Sequence, residues 1–430
     1  MIRTAVFFCG IWLLTAPVAL AAQPTDWPQF RGPQQDGNAG STQLPVEWSE
    51  EENIVWRKPV PGFGASSPIA FGDRIYLTYY NGYGLSEEEP GEKENLQRHL
   101  RCVNKASGDV IWDEANTENA DKAADYRGFV ALHGFASSTP VADDTGIYVY
   151  YGSGGAAAYS HAGKLLWQKV LGDKTHAFGT ANSPVLYEDL VILNGFVECG
   201  AIVALDKKTG QERWRFDQVN RAWNTPCLVA VDGQHELVFS SQGTIRALDP
   251  ATGKELWFCT GIDDYICPSV IAHEGIVYAI GARKSTAVAI KAGGRGDVSE
   301  THRLWEQDKG SNVSSPVYFE GYLYWASEGK GIVYCADAKT GEIQYQERLE
   351  PRPGLIYASP IVADGKLYYV SRDAGAYVLA ATPEFKLLAH NVISGDDGVF
   401  NGSPAVSGGK MYLRSNKFLY CIANERPRLR

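Results

Sequence analysis

The sequence predicts an all-β fold: an eight-bladed β-propeller of four-stranded antiparallel blades, with the ring closed by an N-terminal strand completing the last blade. Three observations carry that expectation. A proline-led strand opener recurs eight times, a turn string ending in an aromatic residue recurs between the openers, and the two chain ends hold complementary fragments of one unit.

The openers read "SSPIAFGDRIYLTY" at 66, "NSPVLYEDLVILN" at 182 and "ASPIVADGKLYYV" at 358, with equivalents in between. Their prolines are Pro68, Pro140, Pro184, Pro226, Pro268, Pro316, Pro360 and Pro404, and after the first interval they lie 42 to 48 residues apart. Within each unit, alternating Val, Ile and Tyr broken by Asp/Gly turns predict half-buried antiparallel strands. A period of ~40 to 45 residues with four strands per unit describes propeller blades, which bury their faces only against neighbours and so close into a ring.

The turn strings are "NKASGDVIW" at 104, "DKKTGQERW" at 206, "DPATGKELW" at 249 and "DAKTGEIQY" at 337. Gly frees the turn between the third and fourth strands to take positive φ, and the aromatic docks between blades. Trp112, Trp167, Trp214, Trp257 and Trp305 are the expected docking residues, together with Trp56 in "NIVWRKPV" at 53 to 60. That last segment is a fourth strand with no unit before it, and the eighth unit stops at "KFLYCIANERP" without one. The two fragments are expected to pair.

Residues 1–21 have the pattern of a cleaved secretory signal: a lone Arg3, an apolar stretch and Ala19-Leu20-Ala21. Cys9 lies inside that stretch, so no lipid-attachment cysteine stands at the cleavage point, and the expectation is a secreted or periplasmic monomer with no membrane span. Residues 22–52 are expected to form an arm, with Trp27 and Phe30 packing on the propeller flank or docking a second chain. The propeller spans 53–425, and 426–430 form a tail. A net charge of −10 disfavours nucleic acid and anionic membrane as partners. The seven cysteines after residue 21 show no regular spacing, which argues against a disulfide framework. The pairing of Cys199, Cys227, Cys259 and Cys267 stays open.

The repeated Ala-x-Asp-x-x-Thr-Gly-x-x-x-Trp pattern resembles the tryptophan-docked blades of the PQQ-type quinoprotein propellers, and it is similar to the outer-membrane protein assembly factor built on the same ring. The resemblance covers roughly 53 to 425. It implies a propeller fold and, for an enzyme of that superfamily, PQQ with calcium. The enzymes commonly add a catalytic Asp and an adjacent cysteine pair, and this chain has no two consecutive cysteines. No metal-binding spacing and no catalytic constellation is expected. "GSGGAA" at 152 to 157 matches a loose dinucleotide-loop pattern but precedes a strand, so it is rejected.

Function is expected on the face opposite the turn strings, where the segments before each proline and two long insertions fall. Candidate ligand-binding residues there are Trp223, Asn224, Arg283, Arg372, Asp373, Tyr357, Asn182, Phe400 and Asn401. Aromatics with amides and arginines between them suit a flat or sugar-like ligand, and the planar Arg fork suits a carboxylate. The competing reading of the same residues is structural, as plugs of the channel and salt-bridged turns. The favoured function is a non-catalytic propeller that binds a protein, peptide or glycan. The alternatives are a periplasmic PQQ-dependent dehydrogenase of alcohols or sugars and an outer-membrane assembly-type scaffold.

Overall fold

A computed structural model describes residues 23, 25–283 and 285–424; the expected leader at 1–21 and the tail at 426–430 lie outside them. The described residues form eight antiparallel sheets arranged as a ring. Blade 1 holds Ile69–Phe71, Arg74–Asn81, Gln97–Asn104 and Val110–Asn116, and each later blade repeats that order outward from the channel. In blade 8 the strands Ala405–Ser407, Lys410–Arg414 and Phe418–Ile422 are completed by Ile54–Pro59, which pairs antiparallel with Phe418–Ile422. The chain ends thus meet in one sheet. No described helix is long and apolar enough to cross a membrane, and the seven described cysteines are free thiols.

The recurrent turns explain how blades dock. The indole Nε1 of Trp167 donates to the carbonyl of Lys207 in the next blade's turn at 2.7 Å, and Trp112, Trp214 and Trp305 make the same contact with His161, Pro250 and Ala338. A Cβ on Gly210 would come within 2.7 Å of the Trp167 ring, so the ring needs a residue without a side chain beneath it. Trp257 departs from this pattern because blade 5 has no such turn. Its Nε1 donates instead to Glu236 Oε2 at 2.6 Å within its own blade, and Gly296–Asp297 joins blade 4 as a fifth, parallel strand.

The register of blade 5 also differs from the sequence reading. The strand Ile271–His273 aligns with Ile69–Phe71, which places Ser269 and Val270 where Ser67 and Pro68 stand. Pro268 lies two residues earlier than its counterparts, so Ser269, not Cys267, takes the structural place that the residue before proline holds in the other blades. The reason appears in the ring of hydroxyls described next, where Ser269 is a member.

One residue per blade, always just before the innermost strand, lends its hydroxyl to the preceding blade. The Ser67 amide donates to Thr139 Oγ1 at 2.9 Å, Thr139 to Ser183 at 3.0 Å, Ser183 to Thr225 at 2.9 Å and Thr225 to Ser269 at 3.0 Å. Ser269 continues to Ser315 at 3.0 Å, Ser315 to Ser359 at 2.9 Å, Ser359 to Ser403 at 2.9 Å, and Ser403 returns to Ser67 at 3.0 Å. The innermost strands leave these amides without a sheet partner, and the cycle satisfies all eight.

The arm does not lie on the flank. Trp27 bridges Ala70 through two backbone bonds, and Pro28 accepts the Ala142 amide at 2.9 Å. Gln35 spans Pro226 and Leu228 at 3.1 and 3.0 Å, Arg31 reaches the Pro316 carbonyl, and Ala39 donates to Val362 at 2.9 Å. The segment therefore crosses the channel beneath the hydroxyl ring and hydrogen-bonds to the innermost strands of blades 1, 2, 4 and 7 and to the entry of blade 6. Burial lowers the Arg31 guanidinium to about 10, against the attraction of Asp36.

Candidate functional site

Above the hydroxyl ring, the approach segments are extended, so successive side chains point alternately into the channel and into the blade. The residues two before the ring hydroxyls all line the channel. They are Ala65, Ser137, Ala181 and Trp223 in one half, and Cys267, Val313, Tyr357 and Asn401 in the other. The residues one before the hydroxyls turn away. Asn224 exchanges bonds with Ser240 through Nδ2 at 2.6 Å and Oδ1 at 3.3 Å, and Ser66 bonds Thr78 in the same way at 3.1 Å.

This alternation sorts the candidates. Trp223, Tyr357 and Asn401 face the channel. Asn182 and Asn224 do not: they are 1 % exposed inside their blades, and Asn182 has neither amide atom hydrogen-bonded among the described residues. Phe400 and Asp373 border a separate small pocket beside Trp48, where Phe400 stacks on Tyr420 at 6.2 Å. Arg283 is exposed, with its guanidinium 5.3 Å from the Tyr265 ring centre and Nε 3.3 Å from the Tyr265 hydroxyl.

The channel widens here into a cavity of about 380 Å³. Phe30 of the arm reaches it from the floor side, and the walls are aromatic. Phe178 packs edge-on against Tyr265 at 5.1 Å and against Phe129 at 4.8 Å, and its ring lies 5.1 Å from Trp223. The Trp223 indole donates to the Gly179 carbonyl at 2.9 Å, which fixes the ring. Tyr357 and Glu328 stand on the opposite side, from blades 6 and 7. Glu328 Oε2 accepts the Asn312 amide at 3.3 Å, and Glu328 joins no ion pair among the described residues.

The insertion between blades 1 and 2 supplies a partial roof. Its helix Phe129–His133 puts Phe129, Leu132 and His133 into the cavity lining, resting on an apolar cluster that includes Tyr80, Tyr83 and Tyr126. Two residues from the far side of the ring hold the helix: Arg372 donates to the Leu132 carbonyl at 2.7 Å and Asn401 Nδ2 donates to the same oxygen at 2.8 Å. Arg372 also donates to Asn401 Oδ1 at 3.1 Å and lies 5.6 Å from the Tyr357 ring centre. The fork that the sequence offers to a ligand carboxylate is thus a latch on the roof.

His133 ties the helix to blade 3. The Phe178 carbonyl, 2.7 Å away, can only accept, so Nε2 carries a proton, while Nδ1 lies 2.6 Å from the Ser137 hydroxyl. Burial holds this imidazole below its ordinary range, with the Phe178 bond opposing and the Arg372 charge assisting. Ser137 Oγ also lies 3.2 Å from the His133 carbonyl, so the pair closes the helix end rather than freeing a nucleophile. Cys267 lines the same wall, and burial pushes its thiol up to about 12, out of the reactive range.

The sequence missed the roof residues Leu132 and His133 and the floor residue Phe30. An aromatic in a Pro/Gly-rich arm and a short apolar run in a long insertion were the available signals, and neither indicates a direction. The quinone that the resemblance implies can be tested on the lining itself. It is a flat molecule bearing three carboxylates. The described lining residues offer one carboxylate, Glu328, and no lysine or arginine. No group of three His, Cys, Asp or Glu residues among the described residues is placed to hold a metal ion. The lining does not fit that cofactor.

Comparison with known proteins agrees with the ring. The profile of the family described as outer membrane protein assembly factor BamB matches residues 97–347 and 283–383. A search of curated protein sequences found no significant match. Among solved structures, BamB from Moraxella catarrhalis is 14 % identical, with a TM-score of 0.59 over 88 % of this chain and 99 % of that one. Quinohemoprotein alcohol dehydrogenase from Comamonas testosteroni is 12 % identical, with a TM-score of 0.63 over 95 % and 82 %. A europium-containing methanol dehydrogenase is 10 % identical, with a TM-score of 0.66 over 94 % and 99 %. At these identities the likeness concerns the fold.

Proposed function

The chain belongs to the family described as outer membrane protein assembly factor BamB, and on that premise we propose that it is an exported, non-catalytic propeller whose loop-rich face binds a segment of a partner protein or peptide. The cavity of about 380 Å³ carries the reading. It lies within the size range of small ligand sites, is walled by aromatic side chains and is closed below by the arm. A concave, partly roofed pocket of this kind suits one inserted side chain better than a continuous glycan. The leader pattern at 1–21 supports export, and the chain acts as a monomer.

The test is a calorimetric titration of the purified protein with short capped peptides that present Phe, Leu or only Gly. Saturable binding that requires the side chain is expected, and Ala181→Trp, which fills the cavity from its wall, should abolish it. Indifference to the side chain would remove the cavity from the reading. Dye-linked oxidation of alcohols by protein supplied with PQQ and calcium would overturn the non-catalytic assignment.

A second reading, a scaffold gripped at the blade rims, is favoured by exposed apolar side chains on outermost strands of three consecutive blades: Val55, then Val110 and Ile111, then Leu165 and Leu166. Ile111→Lys would weaken such a partner and leave peptide binding in the cavity unchanged.

A further inference from the structure

We propose that the group seated in this cavity is a cation, an ammonium carried on an apolar stem, recognised by the aromatic wall together with the Glu328 carboxylate. The inference rests on the cavity being the binding site and specifies what enters it.

The first observation is the charge of the lining. Among the described residues that border the cavity, Glu328 is the one acidic side chain and no lysine or arginine joins it, while burial disfavours the charged form of His133. One Glu328 oxygen accepts the Asn312 amide, and the other has no donor among the described residues. A carboxylate without a counter-ion facing an apolar cavity leaves its field directed into that space. Burial is the main cause that raises the Cys267 thiol and the Tyr357 hydroxyl; the Glu328 charge adds to it at Cys267, and at Tyr357 the Arg372 charge opposes Glu328.

The second observation is the wall opposite. The Trp223 and Tyr265 rings are perpendicular at 6.3 Å, and Phe178 lies 5.1 Å from both. These rings pack edge to face or tilted on one another and border the cavity, and the π-faces they turn toward it attract an ammonium. A net charge of −10 on the whole chain draws cations toward the face and repels anions.

Two nearby arginines bear on the sign. Arg372 stands behind Tyr357, outside the lining, with one guanidinium nitrogen, Nη1, donating to both the Leu132 carbonyl and Asn401. Arg283 is exposed at the rim over Tyr265, beside Asp264, whose carboxylate accepts the Arg283 amide at 3.3 Å. Neither side chain lines the cavity, so Arg372 acts on it from behind Tyr357 while Glu328 is the charge that borders it directly.

The ammonium could belong to a free amine or to a lysine of a partner segment, and the chemistry of recognition is shared. The test is calorimetric titration of the full chain with phenethylammonium chloride, 2-phenylethanol and sodium phenylacetate. The ammonium should bind at least ~10-fold tighter than the alcohol, with the carboxylate weakest. In Glu328→Gln, checked for an unchanged melting temperature, the preference over the alcohol should vanish. A capped Gly-Gly-Lys-Gly-Gly peptide that binds tighter than phenethylammonium and loses binding on Nε-acetylation assigns the cation to a partner's lysine; the reverse order assigns it to a free amine. Equal binding of ammonium and alcohol to the native protein overturns the charge preference and leaves the cavity-binding reading standing. Absence of binding by all three phenyl probes and by the peptide overturns both.

Discussion

The backbone amide of Ser403 donates to the hydroxyl of Ser67 at 3.0 Å, across the seam between the last blade and the first. Seven bonds of the same kind join the other neighbours, but only this one closes the cycle where the covalent chain does not run directly onward. Ser67→Ala removes the acceptor and leaves a buried amide unsatisfied. A loss of about 1–3 kcal/mol in stability by denaturant unfolding is expected, and an unchanged midpoint would show that the cycle is not a structural tie.

The turn glycines should be intolerant to the smallest side chain. At Gly341, φ is +76° and a Cβ would lie 2.7 Å from the Trp305 ring. Gly341→Ala therefore combines left-handed strain with displacement of the docked indole. A loss of more than about 1 kcal/mol is expected by thermal unfolding, with a red-shifted tryptophan emission. Gly233→Ala, also at positive φ but with open space around its Cβ position, should cost only the strain.

The roof should loosen in mild acid. Burial depresses His133 below histidine's ordinary 6.5, so the folded state holds this ring neutral while an undocked ring binds a proton. The stabilisation is complete above pH 6.5 and falls as pH drops below that value toward the depressed folded pKa. The hydrogen-exchange protection factors of residues 129–137, taken relative to intrinsic rates at each pH, should fall between pH 7.5 and 5 more than those of the blade strands. His133→Gln, which has no titrating group, should remove the difference.

Asn182 supplies a test of the alternation. Its side chain is buried in the blade with no hydrogen bond among the described residues, so removing its polarity exposes no broken partner. Asn182→Leu should stay within about 1 kcal/mol of the native protein and leave cavity binding intact. Trp223→Ala, two residues before its own ring hydroxyl, should abolish that binding.

Much of the ring was legible because propeller blades repeat. Eight openers, the Thr-Gly turns and the complementary ends specify blade number, strand order and closure without reference to any distant contact. The same repetition concealed blade 5, where Pro268 mimics the opener while Ser269 takes its structural place. A sequence motif counts residues, whereas the hydroxyl cycle selects whichever serine lies at the right depth in the channel.

The sequence by itself determined the local elements: alternating apolar residues for strands, glycine for turns at positive φ, and tryptophan for the space between blades. These depend on near neighbours and recur often enough to be read. Only the tertiary structure decided which side chains share the cavity. An extended backbone turns successive residues to opposite sides, so Trp223 enters the channel while Asn224 bonds inside its blade. Ring closure then brings Arg372 and Asn401 onto the carbonyl of Leu132, more than two hundred residues away, and folds the arm so that Phe30 reaches the cavity from below. Such contacts are set by the geometry of the closed ring, which no single segment encodes.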